Sequence, residues 1–134
     1  MTLTETCIAV TIMVTSAAIA TPSLLRARET YELQSAARMV ESRLQSARIH
    51  AVTRNRDCRL NITSPSSYVV ECQGTSWETV ETVSVPRGIT VTASARPEFH
   101  ERGNVAPTAT ITVWNGQGRS LRVIVNVNGR VRIQ

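Results

Sequence analysis

The stretch that decides the fold is residues 1–25, MTLTETCIAVTIMVTSAAIATPSLL. It is apolar almost throughout and carries a single charged side chain, Glu5. From Leu3 to Leu25 an α-helix would rise about 34 Å, which exceeds the roughly 30 Å hydrocarbon thickness of a bilayer. An ionisable side chain at that depth is costly, so it usually has a partner or a function. The stretch therefore predicts a membrane-length helix in which Glu5 has a specific role.

Small and hydroxylated residues are frequent within these 25 residues. Such residues suit close contact between helices. The stretch also lacks the basic flank and the small-residue cleavage site of a secretory signal peptide. We expect the helix to reside first in lipid and then to pack against other helices.

The helical pattern continues beyond Pro22, which predicts a kink or local unwinding around residues 18–22 because proline removes a backbone donor. Apolar residues then recur at alternating spacings of four and three, which is typical of an amphipathic helix. They are Leu33, Ala37, Val40, Leu44, Ala47 and Ala51. The combined helical element would be about 50 residues long, far above the usual length in a soluble domain.

The remaining sequence predicts antiparallel β-structure. The predicted strands are 58–62, 68–72, 77–83, 89–93, 108–114, 120–127 and 130–133. Asn128-Gly129 predicts a type I′ hairpin turn between the last two, with positive φ at both residues. Alternation in the strand before that turn places Leu121, Val123, Val125 and Val127 on a core face. Residues 94–107 have no periodicity and hold two prolines, so we expect an exposed loop there.

Two of the three cysteines fall on neighbouring predicted strands. If Ile62 faces Tyr68, antiparallel pairing places Cys58 opposite Cys72, at a separation that suits a disulfide. Such a bond indicates an oxidising compartment outside the cytoplasm. The alternative is a zinc site, but His50 and His100 lie apart in the sequence and complete no recognisable ligand set, so no metal is expected. We expect Cys7 to be a small buried hydrophobe.

The charge balance is basic, with a formal net charge of +5, and all 15 basic residues are arginines. This pattern fits either genome composition or the binding of a polyanion. Aromatic residues make up only 4% of the chain, which argues against a nucleic-acid surface built on base stacking. Any such binding would have to run through phosphates.

With these features the chain resembles the type IV pilin-like family. The resemblance rests on Met1-Thr2-Leu3-Thr4-Glu5, on Pro22 within Ile19-Ala20-Thr21-Pro22-Ser23-Leu24, and on a long helix followed by β-structure. It implies an α+β, pilin-like fold, in which a long kinked helix packs on an antiparallel β-rich domain. Residues 1–25 would be the membrane and filament-core segment, and residues 26–134 the amphipathic continuation plus the globular β domain.

The family resemblance also implies roles for three residues of the first segment. A prepilin peptidase removes a short leader in such proteins, and we expect the sequence to begin at the mature residue, Met1, which would be N-methylated. Glu5 would pair with the N-terminal amine, that of a neighbouring subunit during assembly or that of its own chain beforehand. Helix lost near Pro22 would permit tight packing. The alternative for Glu5 is a carboxylate favoured by the positive end of the helix dipole.

Within this class the C-terminal half is similar to the GspH/FimT group. The similarity is carried by Ala36-Ala37-Arg38, Leu44-Gln45-Ser46-Ala47-Arg48, Asn115-Gly116-Gln117-Gly118 and Gly129-Arg130-Val131-Arg132. It implies possible DNA contacts from four side chains: Arg119, Arg122, Arg130 and Arg132. Their guanidinium groups would contact phosphates without reading bases. The alternative is that charges on a terminal edge strand block aggregation.

The sequence therefore predicts a structural subunit of a type IV pilus-like filament, located in the inner membrane before assembly and then in an extracellular pilus or a periplasmic pseudopilus. Its partners would be further copies of itself, other pilin subunits and the prepilin peptidase. The alternatives are a minor pilin that binds DNA for uptake and a minor pseudopilin of type II secretion. No phosphate loop, nucleophile elbow or metal-ligand spacing is present, so we expect neither catalysis nor a cofactor.

Overall fold

The computed structural model describes residues 2–134, which form one helix and eight strands. The helix α1 is Leu3–Arg54. The strands are β1 Cys58–Ser64, β2 Ser67–Gln73, β3 Trp77–Ser84, β4 Ile89–Ala93, β5 Glu98–Phe99, β6 Ala109–Asn115, β7 Ser120–Val125 and β8 Val131–Ile133. The chain divides into two compact units, of which the first ends at Glu32 and the second is Leu33–Gln134.

The first unit consists of the apolar half of α1. Helix is continuous through Pro22, and residues 18–22 are all helical. The local unwinding that proline predicts there is therefore absent, while the kink remains a prediction. Proline still removes one backbone donor, since it has no N–H to offer to the carbonyl of Ala18.

The second unit packs the amphipathic part of α1 with two four-stranded antiparallel sheets. The first sheet has the order β3-β2-β1-β5 and the second has the order β4-β6-β7-β8. All six predicted stripe residues of the helix are buried. They form one hydrophobic core with inward-facing residues of both sheets, such as Leu60, Tyr68 and Val123. The prediction of an amphipathic helix packed on antiparallel β-structure is confirmed.

The predicted hairpin register is also confirmed. Ile62 pairs with Tyr68, and Cys58 pairs with Cys72 across β1 and β2. The two cysteines are joined by a disulfide, with their α-carbons 4.0 Å apart. Their side chains are buried at 0% and 6% exposure, so the bond belongs to the core.

The prediction of an exposed loop at residues 94–107 is wrong. The segment contains the short strand β5, which pairs with β1, and Phe99 also bridges to Val105. Phe99 and Val105 are 0% and 1% exposed, and Pro97 is also fully buried. The segment is therefore a strap whose apolar side chains complete the core.

Two predictions about the end of β7 are wrong as well. The strand ends at Val125, and Val127 lies in the following turn with 54% of its surface exposed rather than on the core face. In that turn Gly129 has φ +73°, whereas Asn128 does not have a positive φ. The backbone N–H of Gly129 donates to the carbonyl of Asn126, so the turn begins at Asn126 and Gly129 is its last residue. A type I′ turn with Asn128-Gly129 at its centre would begin at Val127.

Candidate functional site

The apolar half of α1 exposes its large side chains on all sides. The exposed large apolar residues of this half are Leu3, Ile8, Val10, Ile12, Met13, Val14, Ile19, Leu24 and Leu25. Cys7 is exposed among them, so the expectation that it is buried is wrong for the single chain. By length and composition the helix is able to cross a membrane, with a mean hydropathy of 1.8 in its most apolar window. An uncovered apolar surface of this size is characteristic of contact with lipid or with other protein chains.

Five hydroxyl groups of this half donate to carbonyls of the helix itself. Thr11 Oγ1 donates to the carbonyl of Cys7 at 2.7 Å, and Ser16 Oγ donates to that of Ile12 at 2.7 Å. Thr6, Thr15 and Thr21 donate to carbonyls one turn earlier in the same way. Because no water is needed as a partner, these residues are compatible with hydrocarbon as well as with close helix packing.

Glu5 lies in the first turn of α1, where its carboxylate caps the helix. Its Oε2 accepts hydrogen bonds from the backbone N–H of Thr2 at 3.1 Å and from Thr2 Oγ1 at 3.3 Å. Thr2-Leu3-Thr4-Glu5 has the spacing of a capping box, in which a glutamate reaches back to the residue before the helix. Sequence reasoning missed Thr2, although this four-residue signal was present. Met1, whose amine is the predicted partner of Glu5, lies outside the described residues.

The arginines of the second sheet lie on the face turned away from the core. In β7, Val123 and Val125 are buried, whereas Arg122 and Ile124 alternate onto the outer face. Ile124 pairs with Arg132 of β8, so Arg122 and Arg132 are diagonal neighbours, which places them roughly 7–8 Å apart at the backbone. Arg130, in the turn, is two residues from Arg132 and so shares its face.

A shallow depression of about 200 Å³ lies among these side chains. Its lining is Ile124, Asn126, Arg130, Arg132 and Gln134. Sequence reasoning had named only the two arginines of this lining, and the β7–β8 pairing brings Ile124 and Asn126 beside them. Within residues 2–134, no carboxylate lies within salt-bridge distance of Arg122, Arg130 or Arg132.

Arg119 immediately precedes β7, at the opposite end of that strand from Arg130. It follows the β6–β7 turn, where its backbone N–H donates to Asn115 Oδ1 at 2.8 Å. It is seven residue steps from Asn126, the residue opposite Arg130, a distance of about 24 Å at 3.4 Å per residue. The structure therefore places Arg130 and Arg132 at one depression and Arg122 diagonal to Arg132, while Arg119 lies at the far end of β7 from Arg130.

Charge is strongly segregated along the chain. The stretch from Arg102 to Gln134 contains five arginines and no aspartate or glutamate. The preceding residues contain ten arginines and all ten carboxylate side chains. The whole formal charge excess of +5 thus arises from the strap's end and the last three strands.

The fold is that of a type IV pilin-like protein. The chain is similar to the type IV minor pilin FimU of Pseudomonas aeruginosa, with a TM-score of 0.67 at 19% identity over 79% of this chain and 90% of that one. It is similar to the minor pseudopilin EpsH from the type 2 secretion system of Vibrio cholerae, with a TM-score of 0.68 at 16% identity over 77% and 96% of the two chains. Escherichia coli GspH gives a TM-score of 0.62 at 13% identity over 81% and 87%.

The family described as type II transport protein GspH matches residues 36–129, more than two thirds of the chain. The chain therefore belongs to the GspH family, which confirms the resemblance drawn from the sequence. The family comprises structural pilin and pseudopilin subunits rather than enzymes. No curated protein matches the chain.

Proposed function

We propose that this chain is a minor structural subunit of a type IV pilus-like filament or pseudopilus, and that it polymerises through residues 1–25. The observation that carries the proposal is the exposed apolar surface of the first half of α1, where five hydroxyl groups donate to carbonyls of the same helix. Such a helix suits the inner membrane before assembly and a bundle of helices afterwards. The partners would be other pilin subunits, together with the prepilin peptidase during maturation.

The apolar surface alone does not fix how far one subunit is offset from the next. Transfer from lipid into a helix bundle exchanges one apolar surrounding for another, so the hydrophobic effect favours no particular axial position. A polar contact is needed, and we assign it to Glu5 with the amine of Met1 on a neighbouring subunit. At 4 Å such a pair attracts by about 4 kcal/mol at an effective dielectric constant of 20. Before assembly the capping bond to Thr2 gives the carboxylate a partner.

Pro22 has a supporting role in this proposal. A carbonyl that lacks its helical donor weakens the helix locally, which eases bending or extension when subunits pack together. Thr21 donates its hydroxyl to the carbonyl of Ala17, so this part of the helix already has a second bonding pattern.

The decisive experiment compares Glu5→Gln with Glu5→Ala in the native host. Glutamine retains the ability to cap the helix but removes the charge, whereas alanine removes both. The matched control is Glu29→Gln, the same change in the same helix outside the apolar stretch. The readout is the amount of this chain in sheared filaments or crosslinked pseudopili, relative to the amount in the inner membrane.

We expect both Glu5 variants to insert into the membrane normally and to be depleted from filaments, while the control behaves as wild type. If Glu5→Gln assembles normally and only Glu5→Ala fails, capping is the function of Glu5 and the charge-pair account is wrong. If both assemble normally, Glu5 has no part in assembly. A host strain that lacks this chain altogether shows which kind of filament it belongs to. Failure of secretion in that strain would assign the chain to a pseudopilus, and loss of surface pili would assign it to a pilus.

A second candidate function is supported by the carboxylate-free outer face of the second sheet. Arg122, Arg130 and Arg132 could contact phosphates of DNA, and Arg119 could reach further phosphates along the same duplex. Binding of this kind is independent of sequence and weakens steeply with salt, by about 0.9 in the slope of log K against log salt for each phosphate contacted.

This candidate is tested by anisotropy of a labelled duplex with the full chain in detergent, measured from low to physiological salt. Each single arginine-to-glutamine change should weaken binding and reduce the salt slope by about 0.9 if that residue contacts a phosphate. Arg87→Gln, an exposed arginine in the β3–β4 connection, is the control. Equal effects of all five changes would indicate attraction by net charge alone and would exclude a defined arginine site.

A further inference from the structure

A mixed cluster of potential metal ligands lies where the strap crosses the start of β1. Asp57, Glu98 and His100 each present one ligand atom, and these atoms all lie within 4.8 Å of one another. Sequence reasoning compared His100 only with the two cysteines and did not connect it with Asp57 and Glu98. From these residues we propose that the chain holds a divalent cation of the zinc type at this point, a role that is separate from filament assembly.

The pairing of two strands brings the three side chains together. Cys58 pairs with Phe99 and Arg59 pairs with Glu98, so His100 continues the register opposite Asp57. Glu98 and His100 are two residues apart and therefore share a face of the strap. His100 Nδ1 lies 3.1 Å from Asp57 Oδ1. This is close to the roughly 3.4 Å between two ligand atoms of a tetrahedral site with bonds of about 2.1 Å.

Charge balance at the cluster favours an added cation. Glu98 is half-buried, and its carboxylate has no hydrogen bond or ion pair with any residue of the described chain, 2–134. Arg59 is opposite Glu98 in the register, but its Nε donates to Glu71 Oε2 at 2.7 Å and its guanidinium stacks on Trp77 at 3.9 Å. Half-buried carboxylates without a partner are unfavourable, and a bound cation would neutralise them.

The ligand types favour zinc over calcium. Calcium takes six to eight oxygen ligands, and a histidine nitrogen is a poor substitute for one of them. Zinc accepts histidine nitrogen together with carboxylate oxygen and needs only four ligands. Asp57 also borders an open depression lined by Arg56, Gln73 and Glu101, among others, so a water molecule could take the fourth position.

The site would link the chain just after α1 to the strap. Asp57 directly precedes the disulfide-bonded Cys58, and its carbonyl accepts a bond from the backbone N–H of Gln73. A cation shared by Asp57, Glu98 and His100 would hold the strap on the first sheet. Because the folded chain would bind the metal and the unfolded chain would not, zinc should raise the stability of this unit.

The test uses the full chain in detergent with the Cys7→Ser change, so that no free thiol binds zinc. Zinc content after equilibrium dialysis is measured by elemental analysis, and the affinity by titration with ZnCl2. We expect one zinc per chain and a rise in the unfolding temperature that a chelator reverses. Groups that only hydrogen-bond to a metal ligand alter metal affinity about 10–100-fold, so loss of a direct ligand in Glu98→Gln or His100→Ala should weaken binding by at least about tenfold.

The other histidine provides the control, since His50→Ala should retain wild-type affinity. Glu98→Gln keeps the proposal testable if His100→Ala fails to fold, because the Glu98 side chain has no bond of its own to lose within residues 2–134. Absence of zinc from the dialysed wild type, or retention of its affinity in Glu98→Gln, would overturn the proposal. Tighter binding of calcium than of zinc would overturn the assignment of the metal. None of these outcomes depends on whether the chain assembles into filaments.

Discussion

Gly129 lies so close to the carbonyl oxygen of Gly103 that a Cβ at position 129 would overlap that oxygen. Arg48 joins them, because its Nε donates to the same oxygen at 3.1 Å and lies 2.8 Å from where that Cβ would be. The helix, the strap and the β7–β8 turn therefore meet at one point. Glycine is required at position 129 both for this space and for its φ of +73°.

Replacement of Gly129 by alanine should consequently destabilise the second unit by roughly 3 kcal/mol or more, from backbone strain and overpacking together. Urea unfolding of the full chain in detergent, followed by near-ultraviolet circular dichroism, measures the change. Gly118→Ala is a matched control, since Gly118 has φ +80° but nothing within 4 Å of the Cβ that alanine would add. It should cost only about 1–2 kcal/mol, and equal losses in the two variants would show that the contact with Gly103 is unimportant.

Local patterns predicted those parts of this fold that depend on neighbours in sequence. The stripe from Leu33 to Ala51 follows directly from helical periodicity, and the hairpin at residues 58–72 has a short turn that fixes its register. The membrane-length helix likewise follows from composition alone. In each case the sequence signal and the structure it specifies lie within one element or two adjacent ones.

The parts that were missed depend on contacts between distant residues. Phe99 is isolated among polar residues and prolines, and only its pairing with Cys58 makes it a core residue. The same strand pairing brings His100 next to Asp57, which is far from it in the sequence. Val127 was misplaced because alternation was extended beyond the end of β7, where the chain turns.

The reversed roles of Phe99 and Val127 give a direct test of the strap. Phe99→Ala removes a fully buried ring and should cost about 3–5 kcal/mol of unfolding free energy. Val127→Ala, at a site 54% exposed, should cost less than about 1 kcal/mol. Chemical denaturation of the two variants gives both values, and a loss of less than about 1 kcal/mol for Phe99→Ala would restore the exposed-loop interpretation of residues 94–107.

Removal of the disulfide should destabilise the folded second unit without changing its register. The bond closes a loop with a sequence separation of 14 residues, for which loop-closure entropy predicts about 3 kcal/mol. The double change Cys58→Ser and Cys72→Ser should lower the unfolding free energy by that amount in urea titrations. Cys7→Ser should leave it unchanged, because Cys7 is exposed and unbonded in the first unit. An unaltered midpoint in the double variant would mean that the hairpin is equally constrained without the bond.

Tyr68 should make the second unit sensitive to alkaline pH. Burial raises the pKa of its hydroxyl to about 12 from the usual 10.0; Arg43 opposes this shift and Glu81 adds to it. Because the folded pKa exceeds the unfolded one, the stabilisation is complete below pH 10 and is lost as pH rises toward 12, at about 1.4 kcal/mol per pH unit. Absorbance titration of the folded chain should show the Tyr68 phenol ionising near pH 12 rather than near 10.

The same residue gives a second expectation at neutral pH, because the Tyr68 hydroxyl is buried and has no hydrogen-bond partner among residues 2–134. Tyr68→Phe removes an unsatisfied polar group, so it should stabilise the chain by about 1 kcal/mol at pH 7. It should also abolish the part of the alkaline loss that arises from this tyrosine. Tyr31→Phe controls for the loss of a phenol at an exposed site, and both variants carry Cys7→Ser to prevent disulfide exchange at high pH. A pH 10–12 stability profile in Tyr68→Phe identical to that of Tyr31→Phe would place the alkaline transition elsewhere and would mean that the buried phenol is not the titrating group.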